Sequence, residues 1–181
     1  MGAGAPGIRA CLHNASDGTV RGVLRRSKAK PRSGCPVSIS LEIFGDRWSL
    51  LIVRDMMVRS LRTFKEFQES GEGIASNILS DRLRKLQSAG IIAASAEAGD
   101  RRKSNYRLTE KGIDLAPVML ELLIWGARHE QTAAPCAVIE HMEKSREAIL
   151  RETRRRWIEN DRTPLLPRFD SKNERKAKER S

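Results

Sequence analysis

This sequence predicts a mainly α chain with one small β-hairpin. Three observations carry that expectation. Apolar residues recur at helical spacing over 47–57, 76–89 and 110–128. A short helix, a glycine turn and a longer helix follow one another between Thr63 and Ala89. Two short segments, Ile91–Ala96 and Asn105–Leu108, flank the polar stretch Gly99–Ser104 as strands flank a turn.

The elements follow in chain order. Residues 1–33 sustain no period and read as a flexible basic arm. Cys35-Pro36 opens a first helix, because proline suits the first helical position, where a missing N–H costs nothing. Val37, Ile39, Leu41 and Ile43-Phe44 follow, up to a break at Gly45-Asp46. Trp48, Leu51, Ile52 and Asp55-Met56 share one face of the next helix, with Ser49 and Arg54 opposite. Thr63 is the expected N-cap of a short helix that buries Phe64 and Phe67. Gly71-Glu72-Gly73 makes the turn, Ser76 caps the longer helix, and Gly90 stops it. Past the hairpin, Thr109 caps a helix to about residue 128 that is apolar on more than one face and kinked at Pro117. Pro135 starts a last helix to about Asn160, laced with Glu147–Arg151 and Glu152–Arg156 pairs. The organisation expected is therefore an arm (1–33), a folded region (34–130), a helical extension (131–163) and a disordered basic tail (164–181).

Charge separates the flanks from the middle. Of a net charge of +11, residues 1–33 contribute seven Lys/Arg against one Asp, and residues 131–181 thirteen against nine Asp/Glu. Within the middle, the excess falls on 74–107, with seven basic and three acidic residues. That segment holds the longer helix and the hairpin, so its charge points to a polyanionic partner. No run of eighteen apolar residues occurs, which argues against a membrane span, and the first thirty residues lack the apolar stretch of a secretory signal. Cys11, Cys35 and Cys136 have neither disulfide nor zinc spacing. A reduced, cytoplasmic protein is the expectation.

On a helical wheel, Leu79, Leu83, Leu86 and Ala75 form the buried stripe of helix 76–89. Asn77, Ser80, Asp81, Arg84 and Ser88 fall opposite, with Arg82 on the flank. Short polar side chains near the start of a helix, with an arginine one turn later, suit a reader of the major groove. A merely solvated face has the same composition; the preceding glycine turn and the following cationic hairpin favour the reader. Asn77, Ser80 and Arg84 are the expected base contacts. Ser76, Arg82, Lys85 and the hairpin-tip cations Arg101, Arg102 and Lys103 are the expected backbone contacts.

Residues 35–130 also resemble the HxlR-type winged helix-turn-helix transcriptional regulators of bacteria, a MarR-like group. The matching stretches are CPVSISLEIFGDRWSLLIVRDM, RTFKEF, GIASNILSDRLRKLQSAGII and YRLTEKGIDLAPVMLELLIWGARHE, in order over 96 of 181 residues. EKSREAILRETRRRW resembles the C-terminal helix of one branch of that family. The resemblance implies a homodimer on a pseudo-palindromic operator, with 77–89 as recognition helix and 91–108 as wing. Arg47 stands where the family often has Lys, and Thr63 where it often has Arg, so Arg62 is the substitute phosphate contact. Some members cap the recognition helix at the position of Ala75; here that role passes to Ser76.

Cys35 matches a cysteine that some members use to sense oxidants or electrophiles. A thiol at a helix N-terminus has a lowered pKa, which favours the thiolate. The alternative is a small residue at a helix start with no redox role. His13, His129 and His141 are isolated, so no metal and no other cofactor is expected. No nucleophile–base pair, carboxylate pair or phosphate loop stands out, which argues against an enzyme. The function expected is a dimeric, sequence-specific regulator that takes double-stranded DNA, with an unidentified small-molecule or redox effector. Its rivals are a Cys35-switched repressor and a nonspecific nucleic-acid binder driven by the basic arms.

Overall fold

A computed structural model describes the backbone of residues 33–97 and 100–166, and the side chains of 33–96 and 104–166. The arm expected over 1–33 and the tail expected over 164–181 lie almost wholly outside the described residues. The elements are α1 (Pro36–Phe44), α2 (Arg47–Val58), α3 (Phe64–Gln68), α4 (Ser76–Ser88), β1 (Ile92–Glu97), β2 (Asp100–Leu108), α5 (Glu110–Ile113), α6 (Ala116–His129), α7 (Cys136–Lys144) and α8 (Arg146–Glu159). The fold is mainly helical with one antiparallel hairpin, as the sequence predicts.

Helix α1 starts with Pro36 in its first turn and buries none of its residues. Its chain turns at Gly45, where a Cβ would lie 2.4 Å from the Leu41 carbonyl oxygen. Asp46 then caps α2, accepting the backbone N–H groups of Trp48 (3.0 Å) and Ser49 (2.9 Å) and the Ser49 hydroxyl (2.6 Å). That last bond explains a difference from the wheel: Ser49, expected opposite the apolar face, is fully buried because Asp46 satisfies its hydroxyl. Arg54 is also turned inward, paired with buried Asp55 (2.7 Å) and with Glu72 in the glycine turn (2.8 Å).

Thr63 and Glu66 cap α3 reciprocally in a capping box. The turn to α4 needs positive φ at Gly71 (94°) and Gly73 (72°), backbone conformations that glycine adopts without steric cost. Ala75, expected in the buried stripe, is exposed, because it and not Ser76 is the N-cap of α4; it makes no side-chain cap bond, and Ser76 is the first helical residue. Position is set instead by the stripe of Leu79, Leu83 and Leu86, which is buried against Ile52, Val53, Phe67 and Ile91. Each buried leucine contributes about 1.5–3 kcal/mol, whereas a cap contributes ~1 kcal/mol. The stripe can therefore orient the helix without a cap.

The hairpin pairs Ile92 with Leu108 through Ala96 with Ser104, and its register shifts between Ala96 and Glu97, which pairs with Asp100. Arg101, Arg102 and Lys103 therefore belong to β2, as the extra residues of a bulge, rather than to the turn. The loop before α3 joins the hairpin: Tyr106 donates its N–H to the Arg62 carbonyl (2.7 Å), and Thr63 bridges to Asn105.

The expected helix 110–128 is two helices, α5 and α6. Pro117 stands in the first turn of α6, where it interrupts no hydrogen bond, so the chain breaks at Asp114–Leu115 instead of kinking at the proline. Close packing anchors α5, since a Cβ on Gly112 would lie 2.2 Å from the Ile91 carbonyl oxygen. The expected helix 135–160 also divides, at Ser145. The bend lets Ile139 and Met142 of α7 join Leu120 and Ile124 of α6 in a second core. It also brings α8 back so that Trp157 donates its indole N–H to the Leu108 carbonyl (2.8 Å). Arg107 and Arg154 lie over the Trp157 ring, at 5.5 and 5.6 Å from its centroid. Among the described residues, no helix is long and apolar enough to cross a membrane.

Candidate nucleic-acid interface

With its leucine stripe inward, α4 presents Ser76, Asn77, Ser80, Asp81, Arg84 and Ser88 to solvent. The Arg84 side chain is 65% exposed and, among the described residues, pairs only with Asp81 at 3.3 Å. An exposed, weakly held guanidinium beside two short polar side chains can approach a base edge without breaking a buried bond.

Arg82 and Lys85 are placed differently. Both reach back to Asp46, at 3.1 and 3.5 Å, and Arg82 also pairs with Asp81 (3.2 Å). Asp46 thus joins the start of α2 to the flank of α4. Burial pulls its carboxyl pKa up, but the Ser49 hydroxyl, the Ser49 and Trp48 N–H groups and the Arg82 charge outweigh this and hold it below the usual carboxylate range. In the sequence, Gly45-Asp46 marks only a break between helices. Its available signal was an Asp directly ahead of an apolar-periodic run, which is an N-cap signature.

Arg62 is a correction. Expected as a phosphate contact, it is 6% exposed, so its side chain is turned into the protein. Burial, and then the charges of Arg107 and Arg162, push its pKa down. The backbone of Arg101, Arg102 and Lys103 lies on β2 at the far end of the hairpin from Leu108, and their side chains lie outside the described residues.

Cys35 is exposed at the N-cap of α1 and makes no cap hydrogen bond. The nearby backbone N–H groups of Ser38 and Val37 nevertheless draw its thiol pKa below the ordinary value. Cys136 is also exposed, at the start of α7. Among the described residues, no group of three His, Cys, Asp or Glu side chains could hold a metal.

A short capped helix, a glycine turn, a second helix with a polar outer face and a two-stranded hairpin, in this order, define a winged helix-turn-helix regulator. The family described as HxlR-like helix-turn-helix matches residues 43–134. The chain belongs to that family, and is a transcriptional regulator of the HxlR type. It is 30% identical over 115 residues to YdeP of Bacillus subtilis, an uncharacterised HTH-type transcriptional regulator, covering 64% of this chain and 84% of the relative. It is 30% identical over 95 residues to a second such protein of Bacillus subtilis, YybR, covering 52% and 75%. Among solved structures it is similar to PA1607, a candidate transcription factor. That match has 42% identity and a TM-score of 0.51, and it covers 58% of this chain and 70% of the other.

Proposed function

We propose that this regulator binds a pseudo-palindromic operator as a homodimer and reads its sequence with α4. Asn77, Ser80 and Arg84 contact bases. Ser76, Arg82, Lys85, Arg101, Arg102 and Lys103 fix the register on the phosphates. The observation that supports this reading is the exposed polar face of α4, where Arg84 has no buried partner among the described residues. An arginine in that position can take guanine O6 and N7 together. Fluorescence anisotropy on DNA from upstream of the protein's own gene tests it. Arg84→Ala is expected to cost about 1–3 kcal/mol on the operator and much less on scrambled DNA.

The dimer rests on apolar surface that the single chain leaves uncovered. Val37 (67% exposed), Ile39 and Leu41 (58%) lie on α1, and Val118, Leu122 and Trp125 (56%) on α6. Both helices pack on α2, so they can contribute to one interface. Sedimentation of a folded monomer at micromolar concentration would remove this part of the proposal.

A second reading adds a redox switch at Cys35, favoured by its exposure and lowered thiol pKa. The thiolate sulfur would attack one peroxide oxygen, forming an S–O bond and expelling hydroxide, to leave a sulfenic acid at the start of α1. Operator affinity should then change on peroxide treatment in the native chain and not in Cys35→Ser.

A further inference from the structure

Residues 135–166 lie beyond the stretch that matches the family, 43–134, and their last part is packed against the base of the wing. Trp157 donates its indole N–H to the Leu108 carbonyl at the end of β2 (2.8 Å), and Arg107 donates from its guanidinium to the Trp157 carbonyl. Arg154 pairs with Glu110 (3.0 Å) and Asp114 (2.8 Å), just past the same strand. The extension also holds what lies on the other edge of β2. That strand has β1 on one side and residues 62–63 on the other, where Tyr106 donates its N–H to the Arg62 carbonyl (2.7 Å). The stretch 58–66 that supplies this second edge is fixed from outside the family domain. Leu165 donates its N–H to the Val58 carbonyl (2.8 Å), and Ser60 donates its hydroxyl to the Thr163 carbonyl (3.3 Å). Arg162 pairs with Glu66 (3.2 Å), which closes the capping box of α3. Ser60 has φ 59°, a left-handed conformation that costs any residue with a Cβ and persists only where neighbours hold it.

A grip at this end of the hairpin matters because the hairpin is a lever. Arg101 is seven residues from Leu108, a reach of about 20 Å at about 3.3 Å per residue. A tilt of about 10° at the base displaces the tip by about 3–4 Å, which is as far as a hydrogen bond is long. We propose that residues 154–165 brace the wing at the tilt it needs on DNA, with Trp157 and Arg162 as positioning residues that touch no DNA themselves. This role rests on the phosphate contacts assigned to Arg101, Arg102 and Lys103, and concerns how they are aimed. The Arg162 side chain is 55% exposed and that of Glu66 36%. A pair so exposed contributes little to global stability, so its use here is to fix a direction.

The test uses the full chain. Trp157→Phe combined with Arg162→Ala keeps an apolar ring but removes the indole bond and the Glu66 pair. Hydrogen exchange is followed first, without DNA. The Tyr106 amide and its neighbours in β2 should exchange at least about tenfold faster, while those of Leu79, Leu83 and Leu86 in α4 stay within about twofold. A purely stabilising role would speed both sets together, through global unfolding. Operator affinity by fluorescence anisotropy should fall at least about fivefold, with a flatter dependence on salt. Arg162→Lys, which keeps the Glu66 pair, should match the native chain in both measurements. If the double variant does not fold, Arg162→Ala alone carries the test, with about two- to threefold faster exchange at Tyr106. Unchanged exchange at Tyr106, or an equal rise in α4, overturns the brace. Faster exchange with native operator affinity also overturns it, provided that replacing Arg101, Arg102 and Lys103 by Ala does weaken binding. If that replacement has no effect either, the phosphate contacts of the wing are what fail, and the brace is judged on exchange alone.

Discussion

Asp46 illustrates how one side chain serves both the fold and the site. It caps α2 and holds Arg82 and Lys85 on the flank of α4. Asp46→Ala should cost about 1–2 kcal/mol of stability from the lost cap, measured by urea denaturation. Its folded pKa is depressed, so the stability it contributes is present above the unfolded value and lost as pH falls through the folded one. Asp46→Asn keeps a capping side chain and removes the charge. The gap in melting temperature between the native chain and Asp46→Asn should therefore hold steady down to about pH 4 and close below it. A gap independent of pH would mean that the carboxylate charge contributes nothing. Gly112 makes a separate case at this scale. Gly112→Ala should lower the melting temperature by several degrees, about 1–3 kcal/mol, because the new methyl group meets the Ile91 carbonyl oxygen. The leucine stripe of α4 and the Thr63 cap were legible in the sequence, since each follows from spacing along one helix. The inward turns of Ser49, Arg54 and Arg62 were not. Asp46 is local to Ser49 and carries an N-cap signature, but Glu72 lies 18 residues from Arg54, and that pairing and the burial of Arg62 are set by tertiary contacts that no local period encodes.

Among the elements, the proposal divides DNA binding between base reading by α4 and phosphate contact by the hairpin. Replacing Arg101, Arg102 and Lys103 together by Ala should weaken operator and scrambled DNA alike. It should also flatten the slope of log affinity against log salt by up to about 3. A loss confined to the operator would make the wing a base reader. The hairpin was expected from its alternation, but its length was not: the polar Gly99–Ser104 stretch suggested a turn, whereas the ladder runs on into it through a bulge. The helix breaks were missed for a related reason. Pro117 was read as a kink inside a helix, and only the position of the break before it shows that proline in a first turn. The bend at Ser145 has no proline or glycine to announce it. It follows from two packing demands, α7 on α6 and Trp157 on the end of β2.

At the scale of the whole molecule, the proposed homodimer would cover the apolar residues that α1 and α6 expose among the described residues. Leu122→Glu with Trp125→Glu should give a folded chain that sediments as a monomer. It should also bind the operator at least about tenfold more weakly, because each half-site would then be bound alone. An unchanged dimer would place the interface elsewhere. The docking of α8 could not be read from its sparse apolar positions, since its anchors are spread over Trp157 on β2, Ile149 and Leu150 on the second core, and Arg154 paired with Glu110 and Asp114. The decisive experiment compares the native chain with Arg84→Ala by fluorescence anisotropy, on an upstream fragment and its scrambled counterpart, between about 50 and 200 mM salt. The native chain should keep its preference for the upstream fragment at the higher salt, and Arg84→Ala should lose affinity mainly for that fragment. Equal losses on both DNAs, or a native chain without preference at any salt, would contradict sequence reading by α4.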